Sequence, residues 1–285
     1  AKNGSDGNGE QDKNKKQKFQ SDWHIGEKIQ ADETEGFNEY DWNIAQRRAH
    51  GIVDSMLNWV ATARHGYKIH ECVIFGEGDY ISGDIHQELR VTNEFPIPVQ
   101  SARAGLLFGE LITKLAPHFD KVTVYQVGAD NHGRLNLKPQ SKQKFANSMS
   151  YVVNAICEAI TAKHENVNIV VSQGMKYVAE VAGWRFLIEH GDTVKAWMGI
   201  SYYGIERERG REAVKRMNTD KNFHFQSIGH WHVPAWVSGT VMINGSLSGT
   251  SEFDHGAGRF ADPAQVAFMV HPKHGLFNFT PFKGR

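Results

Sequence analysis

Apolar and polar positions change period along this chain, and the changes mark helices and strands. From Trp42 to about His65, Ile44, Ala45, Ala49, Ile52, Val53, Met56, Leu57 and Val60 fall on one stripe. That spacing predicts an amphipathic helix, which Gly66 ends. Leu106, Leu107, Leu111 and Leu115 predict a second helix over 99–116, stopped by Pro117, and a third is predicted over 143–163. Short apolar runs between glycine and polar residues predict strands: one ending at Phe75, then 122–127, 167–172, 176–182, 184–189, 224–229, 234–243, 265–270 and 276–281. Gly183 predicts a hairpin between two of them. Lys18 to Ser21 predicts a first strand with one large apolar residue, polar enough that the segment after it is expected to dock loosely. The order βαβαβα, then mostly β, predicts one layered α/β domain, an α/β/α or α/ββ/α sandwich.

Residues 1–17, AKNGSDGNGEQDKNKKQ, are too polar for a core and predict a flexible tail ahead of a domain over 18–285. Its lysines are alternatively an arm that touches phosphates. Lys and Arg number 32, as do Asp and Glu, so no global positive field points to nucleic acid. Cys72 and Cys157 make no disulfide framework, and a cytoplasmic setting is expected (a host's cytoplasm if the chain is phage-encoded). No membrane span and no signal-peptide core is read. The pattern sets no oligomeric state.

The chemistry gathers at strand ends. Val73-Ile74-Phe75 runs into Gly76-Glu77-Gly78-Asp79, with Gly83, Asp84 and His86 following. A carboxylate on a glycine-loosened turn after a buried strand is well placed to hold a metal, although one GDxxxG alone also reads as an ordinary turn. Four further segments stand at or beyond predicted strand ends: Asp22-Trp23-His24, Asn131-His132-Gly133-Arg134, His190-Gly191-Asp192 and Gly229-His230-Trp231-His232. Loops at such ends collect functional side chains in α/β folds. Asp22 and His24, two apart on a strand, would face one way. Taken singly, Asn131 reads equally as a turn residue and His190 as an ordinary strand-end histidine.

Together the set offers carboxylates, imidazoles and an amide without thiolate. That suits manganese, iron, zinc or nickel, with ligands enough for two ions bridged by Asp79. Two divalent ions about 3.5–4 Å apart activate water and clamp phosphate oxygens in phosphate-ester hydrolysis. His132 would remain free to serve the leaving oxygen, and Arg134 would grip a phosphate oxygen. Asp84 and His86 would orient ligands or line a groove, or Asp84 would cap a helix.

In this order, DWH, GDYISG, NHGR, HGD and GHWH resemble the five motifs of the calcineurin-like metallophosphoesterases, over about residues 21 to 250. GDYISGDIH, DNHGR, GHWH and NGSLSG at Asn244 to Gly249 are similar to phage-type members related to DNA-repair exonucleases. The resemblance implies two mixed sheets flanked by helices with a dinuclear site at the strand ends, two divalent ions with manganese first, and phosphodiester or nuclease activity, DNA being one substrate. By the same resemblance Asp22, His24 and His232 hold one ion, Asn131, His190 and His230 the other, Asp79 bridges, and His132 is the acid. One departure stands out: Asp130 occupies a position where the family has glycine. It reads as a turn residue, an extra ligand or a lesion in the second site.

Competing readings are a phosphatase for small nucleotides or phosphoproteins and a non-catalytic scaffold. For a nuclease, Arg207, Arg209, Arg211, Lys215 and Arg216 would form a phosphate-contacting edge beside Trp197, Tyr202 and Tyr203. Interleaved glutamates make the same segment an ordinary soluble helix.

Overall fold

The computed structural model describes residues 14–195 and 201–284. Its elements run β1 (Asn14–Ser21), α1 (Trp42–Ala63), β2 (Ile69–Gly78), α2 (Leu89–Thr92), α3 (Ile97–Leu115), β3 (Lys121–Gln126), α4 (Ser150–Thr161), β4 (Val167–Val171), β5 (Lys176–Val181), β6 (Trp184–Glu189), α5 (Ser201–Arg216), β7 (Phe225–Ile228), β8 (Ala235–Val237), β9 (Val241–Ile243), α6 (Glu252–Gly256), β10 (Ala264–His271) and β11 (Gly275–Lys283). Two mixed sheets result: a six-stranded one ordered β11-β10-β1-β2-β3-β4, and a five-stranded one ordered β5-β6-β7-β9-β8. The strands β1 to β4 are parallel, as are β6, β7 and β9.

Alternation along β2 shows how the layers form. Cys72 and Ile74 face the helical layer with Met56 of α1 and Phe108 of α3. Val73 and Phe75 face the other sheet, among Phe186, Ile188 and Met242. A strand buried on both faces has to be apolar throughout, which is why this run lacks a polar alternation. The outer face of the second sheet buries Ile228, Val241 and Ile243 against Ile205 of α5. The order is therefore helices, sheet, sheet, helix.

Three expectations need correction. Strand β1 starts at Asn14, so 14–17 pair in the sheet rather than ending the tail, while 1–13 lie outside the described residues. The polar sequence holds there because its backbone is laddered on both sides, to β2 and β10. The third helix begins at Ser150, not 143, because Arg134 and Ser148 pair across the neck of a loop that occupies the preceding residues. The single strand at 234–243 is a hairpin: Ser238 and Gly239 both take positive φ, the requirement of a tight primed turn. The charged segment forms helix α5, and Trp197 lies outside the described residues. The Ala182-Gly183 hairpin forms as predicted.

Candidate metal centre

Parallel strands from both sheets end side by side, and their C-terminal turns carry the predicted residues. Asp22 and His24 follow β1, Asp79 follows β2, and Asn131 and His132 lie in the loop after β3. His190 follows β6, and His230 and His232 follow β7. Three groups of ligand atoms close to within 4.8 Å: Asp22, His24 and His232; His24, Asp79 and His132; and Asp79, His190 and His230. Asp79 is common to the last two, so its carboxylate sits between the clusters.

The turns are unusual in their backbone. Asp22, His24, Asp79, His230 and His232 have φ between 49° and 66°. The left-handed region costs a residue with a Cβ roughly 1–2 kcal/mol. Strain gathered on five candidate ligands marks a functional site rather than a packing accident. It also corrects the strand argument for Asp22 and His24: a turn, not alternation, aims both at one place.

That turn is docked tightly. The Asp22 and Trp23 amides donate to the Gly78 and Asp79 carbonyls at 3.0 and 2.8 Å, and the Ile25 amide to Tyr80 at 3.0 Å. Trp23 is fully buried edge-on to Tyr80 and Phe108. The NGSLSG stretch braces it from the other side. Asn244 Nδ2 donates to Ser21 Oγ, and Ser246 Oγ and the Leu247 amide donate to the Asp22 carbonyl. The anchor was invisible in the sequence of β1 because its partners are 50 to 240 residues away.

Hydrogen bonds fix which ring nitrogen is available. A carbonyl only accepts, so His190 Nδ1 donates to Glu77 O (2.9 Å) and His132 Nδ1 donates to Ser82 O (2.6 Å). The Nε2 of His190 then faces Asp79 Oδ2 at 3.0 Å and Asn131 Oδ1 at 2.7 Å. His24 Nε2 and His232 Nε2 approach to 3.1 Å, and His232 Nε2 lies 3.6 Å from Asp22 Oδ1. Asp79 Oδ2 is buried, and the imidazole of His190 is the group that faces it. Carboxylate and imidazole atoms converging this closely are costly unless a proton or a cation sits among them, and the same set of donor atoms fits divalent ions.

The electrostatics divide the rings: burial works against His190, yet Asp79, Asp22 and Asp130 hold its imidazole well above the usual range. Burial would raise the Asp79 carboxyl, but the imidazoles of His190 and His132 hold it well below the usual range. Burial pushes His24 well down, and burial with His190 takes His230 down to about 3, so both rings are neutral and able to coordinate. Burial works against His232, yet Asp254 and Asp22 lift it to about 9.

Other predicted residues take different roles. Asp130 is not left-handed, so it needs no glycine shape. Its Oδ1 accepts from the Gly133 amide (2.6 Å) and its Oδ2 from Ser150 Oγ (2.5 Å), which makes it a buried brace of the Asn131 loop. Arg134 donates Nε, NH1 and NH2 to the carbonyls of Asn136, Asn131 and Leu137, and so ties the same loop. Asp84 does not cap α2; its carboxylate faces Arg90 at 3.6 Å. His86 is exposed, its ring 5.9 Å from that of His132. Of the predicted arginine edge, Arg216 and Lys215 pair with Glu212 and Arg209 donates to the His224 carbonyl.

Sequence reasoning missed four supports. Glu77 is fully buried and hydrogen-bonded to Ser227 and Ser21. Its one signal was a carboxylate inside an apolar strand, two residues before Asp79. Ser82 supplies a carbonyl and so has no residue-type signal. Asp254 and Glu27 face His232 and His24 across 3.7 and 3.8 Å, from segments without a motif.

No family model matches the chain, and no curated protein matches it. Among solved structures it is similar to Vacuolar Protein Sorting 29 from Cryptosporidium parvum, with 11% identity and a TM-score of 0.37 over 95% of this chain and 100% of that one. It is also similar to Vps29 complexed with Zn+2 from Entamoeba histolytica, with 12% identity and a TM-score of 0.30 over 61% of this chain and 89% of that one. Similarity at these scores carries no argument about activity. What stands is a mixed α/β sandwich with Asp and His groups able to bind metal at its parallel strand ends.

Proposed function

We propose that this chain hydrolyses phosphate esters, preferring diesters, with two divalent ions. One observation carries the reading: the buried Asp79 carboxylate lies between clusters of carboxylate and imidazole groups whose ligand atoms close to within 4.8 Å. Asp22, His24 and His232 would hold one ion, Asn131, His190 and His230 the other, and Asp79 both. Bound there, such ions supply an activated water and charge neutralisation at phosphate oxygens, with manganese the first choice and iron, zinc or nickel compatible with the same donors.

The chain's own groups supply the rest. The His132 amide donates to Asp79 Oδ1 at 3.1 Å, so this loop is locked to the shared carboxylate. Its Nδ1–H is committed to Ser82 O, leaving Nε2 to carry a proton to the departing oxygen. His24 packs edge-on to the same ring with centroids 4.6 Å apart, which fixes its orientation.

The test is hydrolysis of bis-p-nitrophenyl phosphate against p-nitrophenyl phosphate with added manganese, alongside metal content. Diester preference, reduced about 10²–10⁴-fold by His132→Ala with metal content unchanged, is the expected result. Monoester preference would make the protein a phosphatase. Protein that binds no metal would overturn the proposal and leave the scaffold.

A further inference from the structure

The loop between Asn131 and α4 leaves the centre and returns to it as a closed excursion. Its neck is held by the Met149 amide on the Gly133 carbonyl (2.7 Å), the Leu135 amide on the Asn147 carbonyl (3.1 Å) and the Asp130 carboxylate on the Gly133 amide. Arg134 pins its first turn from within. Closed in this way, the loop walls a recess lined by Asn131, Arg134, Lys138, Lys142, Lys144 and Asp192. Asn131 is shared with the metal centre through its 2.7 Å contact to His190, and Asp192 lies two residues past that histidine. The recess therefore opens beside the reacting position.

Its charge is local. The whole chain is neutral, yet this wall carries three lysines and an arginine against the carboxylates of Asp130 and Asp192. Asp130 spends both oxygens on Gly133 and Ser150. Lys138, Lys142 and Lys144 make no hydrogen bond or ion pair with the described residues. Lysines without internal partners, held by a braced loop around one recess, are available to an external anion. On the His232 side the nearby side chains are carboxylates instead: Glu27 lies 3.8 Å from His24, and Asp254 lies 3.7 Å from His232. The unpartnered lysines therefore concentrate on the Asn131 side.

We propose that this recess is an anion subsite that takes a second phosphate group of the substrate, adjacent to the one attacked. The inference rests on the phosphoesterase reading for its place in turnover, though not for its binding. It assigns the substrate to molecules carrying at least two phosphates in a row, either a nucleotide strand or a small polyphosphate.

The test compares wild type with a Lys138→Gln, Lys142→Gln, Lys144→Gln triple variant. A Lys68→Gln, Lys121→Gln, Lys163→Gln variant, exposed on other parts of the surface, controls for net charge. Binding of a labelled single-stranded oligonucleotide and of inorganic tripolyphosphate is measured by anisotropy and calorimetry. Turnover of bis-p-nitrophenyl phosphate, which has one phosphate, is followed in parallel.

The recess variant is expected to weaken at least one polyanion about tenfold or more, and to lower the strand's salt slope by about 2, at roughly 0.7 per lysine. Diester turnover stays within about twofold, and the control variant matches wild type. Loss confined to tripolyphosphate identifies the small-molecule source; loss on the oligonucleotide identifies the strand. Unchanged affinity for both, equal loss in the control, or wild type that binds neither probe overturns the subsite. A wild type that binds and discriminates but turns over no diester would sink the phosphoesterase reading and leave the subsite standing.

Discussion

The two halves of the candidate metal centre are supported in different ways. Around Asp22, His24 and His232 the outer contacts are side chains: Asp254 faces His232 at 3.7 Å, and Glu27 faces His24 at 3.8 Å. This half reaches solvent, with the His232 side chain 23% exposed. Around Asp79, Asn131, His190 and His230 the contacts are largely main chain. The Glu77 carbonyl holds His190, the His132 amide holds Asp79 Oδ1, and the His190 side chain is 1% exposed. A carbonyl does not titrate and survives substitution of its residue, whereas a carboxylate titrates and is lost with its residue. The first half is therefore adjustable and the second fixed. They are joined by Asp79 and by the His230 amide, which donates to Asp22 Oδ1 at 2.8 Å.

The largest effect is expected from the group the halves share. Asp79→Asn keeps the shape of the side chain but removes the charge from both, so the protein should lose both metal equivalents and about 10³-fold or more in diester turnover. His190→Ala should lose one equivalent and His232→Ala the other. Metal stoichiometry by mass spectrometry checks this. Two retained equivalents in Asp79→Asn would show that the halves bind independently and that Asp79 does not bridge.

How much of this was legible follows the same division. The candidate ligands were readable because each stands in a short local motif after an apolar strand, and the parallel topology brings those ends to one edge. The layers were readable because runs such as Val73 to Phe75 have no polar alternation. The docking of β1 was not, since Ser21 and Asp22 are held by Gln265, Asn244 and Ser246, far along the chain. Nor were the outer contacts: a carbonyl such as Ser82 leaves no mark in residue types, and Asp254 owes its position to the capping box of α6, where Ser251 and Asp254 bond reciprocally. Local patterns name the groups that do chemistry, and long-range packing decides what holds them.

A further effect probes the fixed half. It contains a second buried carboxylate, Asp130, which burial and the neighbouring Asp79 charge raise to about 6. In the unfolded chain this group titrates near the ordinary Asp value, so the folded state binds its proton more tightly. Stability of the metal-free protein is then intact below that lower value and is lost as pH rises through about 6, by roughly 3 kcal/mol in all. Asp130→Asn keeps an acceptor for the Gly133 amide and should remove most of that slope in denaturant titrations between pH 4 and 8. An equal slope in both proteins would show that the fixed half accommodates the charge without cost.

The smallest effect tests the adjustable half most sharply. Against the opposing effect of burial, Asp254, which faces His232 across 3.7 Å, and Asp22 keep that imidazole basic at about 9. Asp254→Asn retains the side-chain volume and loses the charge, so His232 becomes a poorer donor to metal. Loss of such an outer partner costs about 10–100-fold in metal affinity. Because the other half has a carbonyl where this one has Asp254, only one of two binding steps should weaken in a manganese titration, the one that His232→Ala abolishes. Weakening of both steps together would mean that the joint through Asp79 and His230 transmits a change in one half to the other, and the centre would then behave as a single unit despite its two kinds of support.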